Sequence, residues 1–408
     1  MWSRHDAGGG ITFYYYHDAI TWIAVALAVV WLTWFLVSRY RRARSLRRRA
    51  PRVNNRSLKR IIEIKNELSQ KYLPKGVSNN IHAVGIGMTA GEYCIQIFVN
   101  DAKKELWSGS GSARLPDGYQ GVLVVIIQMR AAILLAAEKL SLPEASTEYR
   151  NGIRGHQEVI IGGISGANTN LAGQSGTIGY FCKRKSRFLQ RTQICMVSNS
   201  HVFADLQKAT VDDGDLIMQP SPGEPGSNRP IGTLINFSPL KFDGDIDEPN
   251  HIDAAVAQLW GTQVHKLVLP FIGAVKGYVP KADIRIGEPA RKCGRTTGYT
   301  EGCVFSTCLD IWIKYDRTQQ SAFFQNQILI EPASPRYTKF VEKGDSGSFV
   351  VDEGQHALGL IFAGAPELPE SMRAQANIDP GGPQRIEGYG VANPISEVLE
   401  RMKIDLLL

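Results

Sequence analysis

From about Gly162 onward the chain sustains no apolar period long enough for a helix until its final residues. Short apolar stretches at 176–182, 193–199, 231–237, 253–260, 322–330 and 348–351 alternate with clusters of Gly, Pro, Asn and Asp. Runs of that length, bounded by residues that favour turns, predict many short strands folded as an all-β barrel or sandwich. Residues 394–408 break the pattern, with Ile395, Val398, Leu399 and Met402 at helical spacing, and predict a closing helix.

The N-terminal part reads differently. Residues 19–37 hold 19 positions without a charge, just enough to span a hydrocarbon core at helical rise. Eight arginines between Arg39 and Arg52 follow the run, and no small-residue cleavage site is evident. A transmembrane helix over 19–38 is therefore expected rather than a removed signal, preceded by a short N-terminal segment, 1–18. The basic linker, 39–56, then stays on the cytoplasmic side, and the basic stretch 39–60 touches anionic lipid. This places a single-pass protein in a cell's inner membrane with its later domains in the cytoplasm. Residues 57–160 look like a small α/β domain of unknown role, a candidate regulator or substrate-recruiting module. It has a helical face formed by Leu58, Ile61, Ile62, Ile64 and Leu68, strands at 81–88 and 93–99, and a longer helical pattern from about Val124 to Leu140.

Charge confirms that the basic character is local. The chain of 408 residues carries +7 overall, yet the stretch 39–60 contains eleven basic and no acidic residues; without it the net charge is −4. Nucleic-acid binding by the folded part is not supported. The six cysteines form no zinc-like spacing with histidine, so no metal or cofactor is expected. In a reducing compartment they are expected as buried free thiols.

Three later segments carry chemistry. Ser198-Asn199-Ser200-His201 follows a strand-like run, His251-Ile252-Asp253-Ala254 opens another, and Lys343-Gly344-Asp345-Ser346-Gly347-Ser348 is a glycine-flanked loop. They occur in the order His, Asp, Ser, 52 and 93 residues apart. A serine hydroxyl needs a positioned base to become a nucleophile; His201 fits that role and Asp253 would orient it. The glycines let the chain turn sharply enough to aim the N–H groups of Gly344 and Ser346 at a developing oxyanion.

With these residues in view, 165–408 resembles the chymotrypsin/trypsin-like serine proteases, and Cys293-Gly294-Arg295-Thr296-Thr297-Gly298 is similar to a motif of bacterial alpha-lytic-type members. The resemblance implies two six-stranded barrels with the site between them. His201 and Asp253 would belong to the first and Ser346 to the second. It also implies a buried ion pair between Arg295 and Asp345, a permanent replacement for the cleaved N-terminus used by pancreatic relatives. Phe340 would lie near the base of the specificity pocket. Phe362, Ala363 and Gly364 would bind substrate backbone, with a non-basic preference.

The family's usual cysteines beside His201 and Ser346 are missing, while Cys293 and Cys303 flank the hairpin where the bacterial relative has a bridge. That pair stands against a cytoplasmic location. The whole predicts a multidomain, membrane-anchored serine endopeptidase acting on a protein or peptide. The alternatives are a catalytically silent binding scaffold with the same fold, or a serine esterase.

Overall fold

A computed structural model describes residues 55–75, 80–101, 117–134, 153–171, 174–185, 192–205, 211, 214–242, 244–315, 320–333, 337–365, 384–385 and 388–408. Residues 55–408 form one compact unit. It opens with helix α1 (Asn55–Tyr72), whose Ile61, Ile64, Leu68 and Tyr72 bury one face as their spacing demands. That face covers a hairpin of β1 (Ile81–Thr89) and β2 (Glu92–Val99). Ala90 and Gly91 both take positive φ between these strands, the geometry a two-residue hairpin turn requires. The next element is a strand, β3 (Val122–Gln128), lying parallel to β2. The expected helix at 124–140 thus fails over its first part, while 135–140 lie outside the described residues. The run Val122-Leu123-Val124-Val125-Ile126-Ile127 is mostly β-branched, and stiff χ1 angles favour a pleated surface over a helix.

Two β assemblies follow. The first is a seven-stranded antiparallel sheet built from β4 (Ala167–Asn168), β5 (Tyr180–Lys185), β6 (Thr192–Ser198), β7 (Leu216–Gln219), β8 (Arg229–Phe237) and β9 (Ala255–Leu259), with the last strand of the chain. The second contains β10 (Pro289–Gly294), β11 (Gly298–Tyr315), β12 (Gln320–Pro332), β13 (Phe349–Val351), β14 (Ala357–Gly364) and β15 (Gly390–Pro394). Their pairings run β10-β13-β14-β15-β12-β11 and return to β10, closing a six-stranded antiparallel barrel. Helix α3 (Ile395–Met402) leaves that barrel with Ile395, Val398, Leu399 and Met402 buried as expected. It delivers β16 (Asp405–Leu406) back to β5. One apolar cluster joins the halves, combining Tyr180 and Val197, Phe349 and Leu360, and the buried face of α3.

The expected fold class needs correcting. The protein is mostly β, and the strands assigned to a separate α/β domain continue the barrel sheet. β1 pairs with β11 at Ala83↔Ile311 and Ile86↔Thr307. β11 can serve two neighbours because its ladder with β12 shifts register three times between Val304 and Ile311, with Cys308 at positive φ. Such irregularities bend a strand, so its first part closes the barrel while its second part carries β1. Among the described residues no helix is long and apolar enough to cross a membrane, so the transmembrane helix in the expected fold class is not supported. The segment 19–38 expected to form it lies outside the described residues.

Candidate active site

His201 sits in a one-turn helix, α2 (Ser200–Phe203), reached directly from β6, and Asp253 lies two residues before β9. Because β6 and β9 are neighbours, with Ala255 opposite Ser198, their ends bring these side chains together. His201 Nδ1 lies 2.6 Å from Asp253 Oδ2. A carboxylate accepts there, so Nδ1 bears a proton, and in the neutral ring the lone pair is then on Nε2. The His201 backbone N–H donates to Asp253 Oδ1 at 3.3 Å. Further supports come from Asn199, which donates to the Asp253 carbonyl at 2.7 Å, and from Asn393, whose Oδ1 accepts the Asp253 N–H at 3.0 Å. Tyr315 donates its hydroxyl to Asp253 Oδ2 at 3.2 Å. Among the described residues His201 Nε2 is buried without a hydrogen-bond partner, which is rare for a polar atom away from water.

Ser346 belongs to the loop entering β13. Gly344 and Gly347, on either side, have φ of 100° and 93°. The second position also permits close approach: a Cβ on Gly347 would stand 2.1 Å from the Thr177 carbonyl oxygen. Ser346 Oγ donates to the Phe362 carbonyl at 3.3 Å, and the Ser346 carbonyl accepts from Thr177 N at 2.8 Å. Around it, Asp345 N–H donates to Glu342 O and Gly347 N–H to Ile361 O. Among the described residues, the N–H groups of Gly344 and Ser346 have no backbone acceptor, which leaves them available to an anion.

Asp345 is fully buried, and the neighbouring hairpin holds it differently from expectation. Its Oδ1 accepts from Thr296 N and Thr297 N at 2.8 and 3.1 Å, and Oδ2 from Thr297 Oγ1 at 2.7 Å and Glu342 N at 3.0 Å. The cation is Lys292 Nζ, 3.2 Å from Oδ2, with both side chains fully buried. Arg295 turns away and pairs with Glu224 through its Nε. The expected Arg295–Asp345 pair is therefore replaced by Lys292–Asp345. Lys292 points inward from β10 beside the hairpin, whereas Arg295 at the bend projects toward the other sheet. Pairing Cys293 with Tyr299 and Cys303 with Pro289 separates the two thiols by several rungs of the ladder, and all six cysteines are free.

The residues expected to meet substrate are covered. Phe340 is buried in the barrel core and presents no surface to a ligand. Phe362 and Ala363 are buried on β14. Beyond the end of β13, the edge of β14 is occupied by the chain itself: Leu134 lies opposite Ala363 and Ile133 opposite Gly364, antiparallel. Ile133 also pairs with Lys314 on β11, and Lys314 N–H donates to Ala132 O at 3.0 Å. Ser346 and Asp253 are fully buried, and His201 is 2% exposed. A surface depression of about 940 Å³, lined by Lys183, Tyr278, Ser396, Glu400 and Lys403 among others, contains none of these residues. Among the described residues no cluster of His, Cys, Asp and Glu could hold a metal ion.

Lys292, Tyr315, Asn393 and the segment 132–134 had escaped sequence reasoning. Only Lys292 left a signal, as a charged residue in a short strand-like run beside the hairpin.

No protein-family model and no curated relative matches the sequence. Solved structures with similar folds include Thermobifida fusca protease A (TM-score 0.39, 17% identity), a Nocardiopsis protease (0.38, 15%) and Cellulomonas bogoriensis chymotrypsin (0.36, 16%). Each overlaps 61% of this chain and 98–99% of its own. At these scores the overlap carries no argument about activity, which rests on the side chains themselves.

Proposed function

We propose that the protein is a serine endopeptidase using His201, Asp253 and Ser346. The observation that carries this reading is the 2.6 Å contact between His201 Nδ1 and Asp253 Oδ2, which leaves a buried, unpartnered Nε2 as a base. In the proposed reaction Ser346 Oγ attacks a peptide carbonyl as its proton passes to Nε2, and the resulting imidazolium is stabilised by Asp253. The N–H groups of Gly344 and Ser346 hold the oxyanion, a donor set worth roughly 10²–10³ in rate per donor. His201 then protonates the leaving amine, and water resolves the acyl-enzyme by the same steps in reverse.

Ser346 Oγ is bonded to Phe362 O, so in the proposed reaction the hydroxyl first leaves that acceptor to give its proton to Nε2. The buried Lys292–Asp345 pair supports the reading, because it braces the residue before the nucleophile without any preceding cleavage. A fluorophosphonate probe tests it directly. The wild type is expected to label and Ser346→Ala not to; equal labelling of both sinks the assignment. Turnover of a peptide library against simple esters then separates peptidase from esterase.

A further inference from the structure

We propose that Tyr315 is a positioning residue for Asp253, bracing the triad carboxylate from the opposite β assembly. The inference rests on the catalytic reading above and extends it to a residue that neither motif nor spacing marks. Tyr315 ends β11, is fully buried, and packs its ring edge-on against Phe242 with centroids 4.9 Å apart. That packing aims the hydroxyl at Oδ2, the oxygen that also receives His201 Nδ1–H.

The contact matters because of what else surrounds the carboxylate. Asp253 is fully buried, and among the described residues no lysine or arginine pairs with it. Its side-chain oxygens are served by the His201 backbone N–H, the His201 ring and the Tyr315 hydroxyl. A buried carboxylate needs several donors to stay where it is, and Tyr315 is the side-chain donor that does not take part in proton transfer. Burial first, then the charge and hydrogen bond of Asp253, pushes the Tyr315 phenol well above its ordinary value, so it remains a donor at every working pH. It differs from the other supports in origin. Asn199 and His201 belong to the sheet that carries Asp253, whereas Tyr315 and Asn393 come from the barrel that carries Ser346. Asn393 is held by Gln327, which also donates to the His251 carbonyl, so the backbone of Asp253 is fixed from the barrel as well. Tyr315 fixes the carboxylate head, and thereby the direction in which the imidazole presents Nε2.

The test is Tyr315→Phe in the full chain, which keeps the ring and removes the donor. Three quantities are read: the thermal midpoint, the rate of fluorophosphonate labelling, and the downfield proton resonance of His201 Nδ1–H in histidine-labelled protein. The expected result is a folded variant that labels about tenfold more slowly, the loss of one charge-assisted hydrogen bond, with the resonance displaced. A wild-type rate and an unmoved resonance overturn the proposal. The resonance reports the His201–Asp253 contact whether or not the protein turns over substrate. A wild type that does not label therefore defeats the catalytic reading, while the resonance still judges Tyr315. Should the phenylalanine variant not fold, 3-fluorotyrosine installed at 315 keeps the ring and strengthens the donor. It must move the same resonance, and no movement overturns the proposal.

Discussion

Replacing Lys292 with methionine keeps most of the side-chain volume and removes one charge of a fully buried pair. At 3.2 Å the attraction between Nζ and Asp345 Oδ2 is about 5 kcal/mol at an effective dielectric of about 20. Removing one partner of such a pair typically costs about 3–5 kcal/mol, because the other charge stays buried. Asp345 keeps four neutral donors from Thr296, Thr297 and Glu342, which argues for the lower end, about 3 kcal/mol. Against a typical total of about 5–15 kcal/mol the variant should fold, with its urea midpoint lowered by about 1 M. The damage falls beside the proposed nucleophile: Asp345 orders the turn through Glu342 N and donates its own N–H to Glu342 O. Labelling by a fluorophosphonate is expected to slow at least about tenfold. Arg295→Met is the comparison, since it breaks the pair with Glu224 and leaves the cradle around Asp345 intact. It should lower the midpoint and largely preserve labelling. If Arg295→Met abolishes labelling while Lys292→Met labels normally, the assignment of the cation is wrong.

Three further outcomes are expected. Burial, partly opposed by a backbone contact with Asn80, holds His82 down at about 4 against its ordinary 6.5. The unfolded chain then takes a proton that the native state refuses. Stability is complete above pH 6.5 and declines toward pH 4, by up to about 3 kcal/mol. Urea midpoints at about pH 7.5 and about pH 4.5 should show this, and His82→Leu should flatten the interval; an unchanged slope counts against it. Gly347→Ala places a Cβ 2.1 Å from Thr177 O at a φ of 93°, and should cost about 2 kcal/mol or more, seen as a lowered thermal midpoint. Ile133→Pro removes a backbone donor from the short strand on β14, and should speed labelling several-fold if that strand limits access; an unchanged rate shows that it does not.

Much of this was legible where the information is local. The closing helix follows from the spacing of Ile395, Val398, Leu399 and Met402, and the strand runs at 193–199 and 253–260 anticipate β6 and β9. The segments holding His201, Asp253 and Ser346 were legible as strand ends, and of the three side chains the structure joins His201 to Asp253 by a hydrogen bond. Non-local pairing was not legible. Nothing in the spacing of Arg295 and Lys292 says which projects inward, since that depends on the bend of the hairpin. Tyr315 meets Asp253 across 62 residues, and β1 joins β11 across more than 200. The stretch after Val122 misled because a short apolar run suits a buried strand or a helix face equally well, and only its β-branched composition decides.

The bent β11 sets where the chain can usefully be cut. Its hairpin end cradles Asp345, its far end presents Tyr315 to Asp253, and β1 is fastened between them. A fragment beginning at residue 165 would keep every residue of the proposed chemistry yet leave Ile311 and Phe323 without their cover from α1, β1 and β2. A piece starting near residue 55 keeps that cover, and if the proposed chemistry holds, the N-terminal strands serve it as a jig, steadying β11 between the Asp345 cradle and Tyr315.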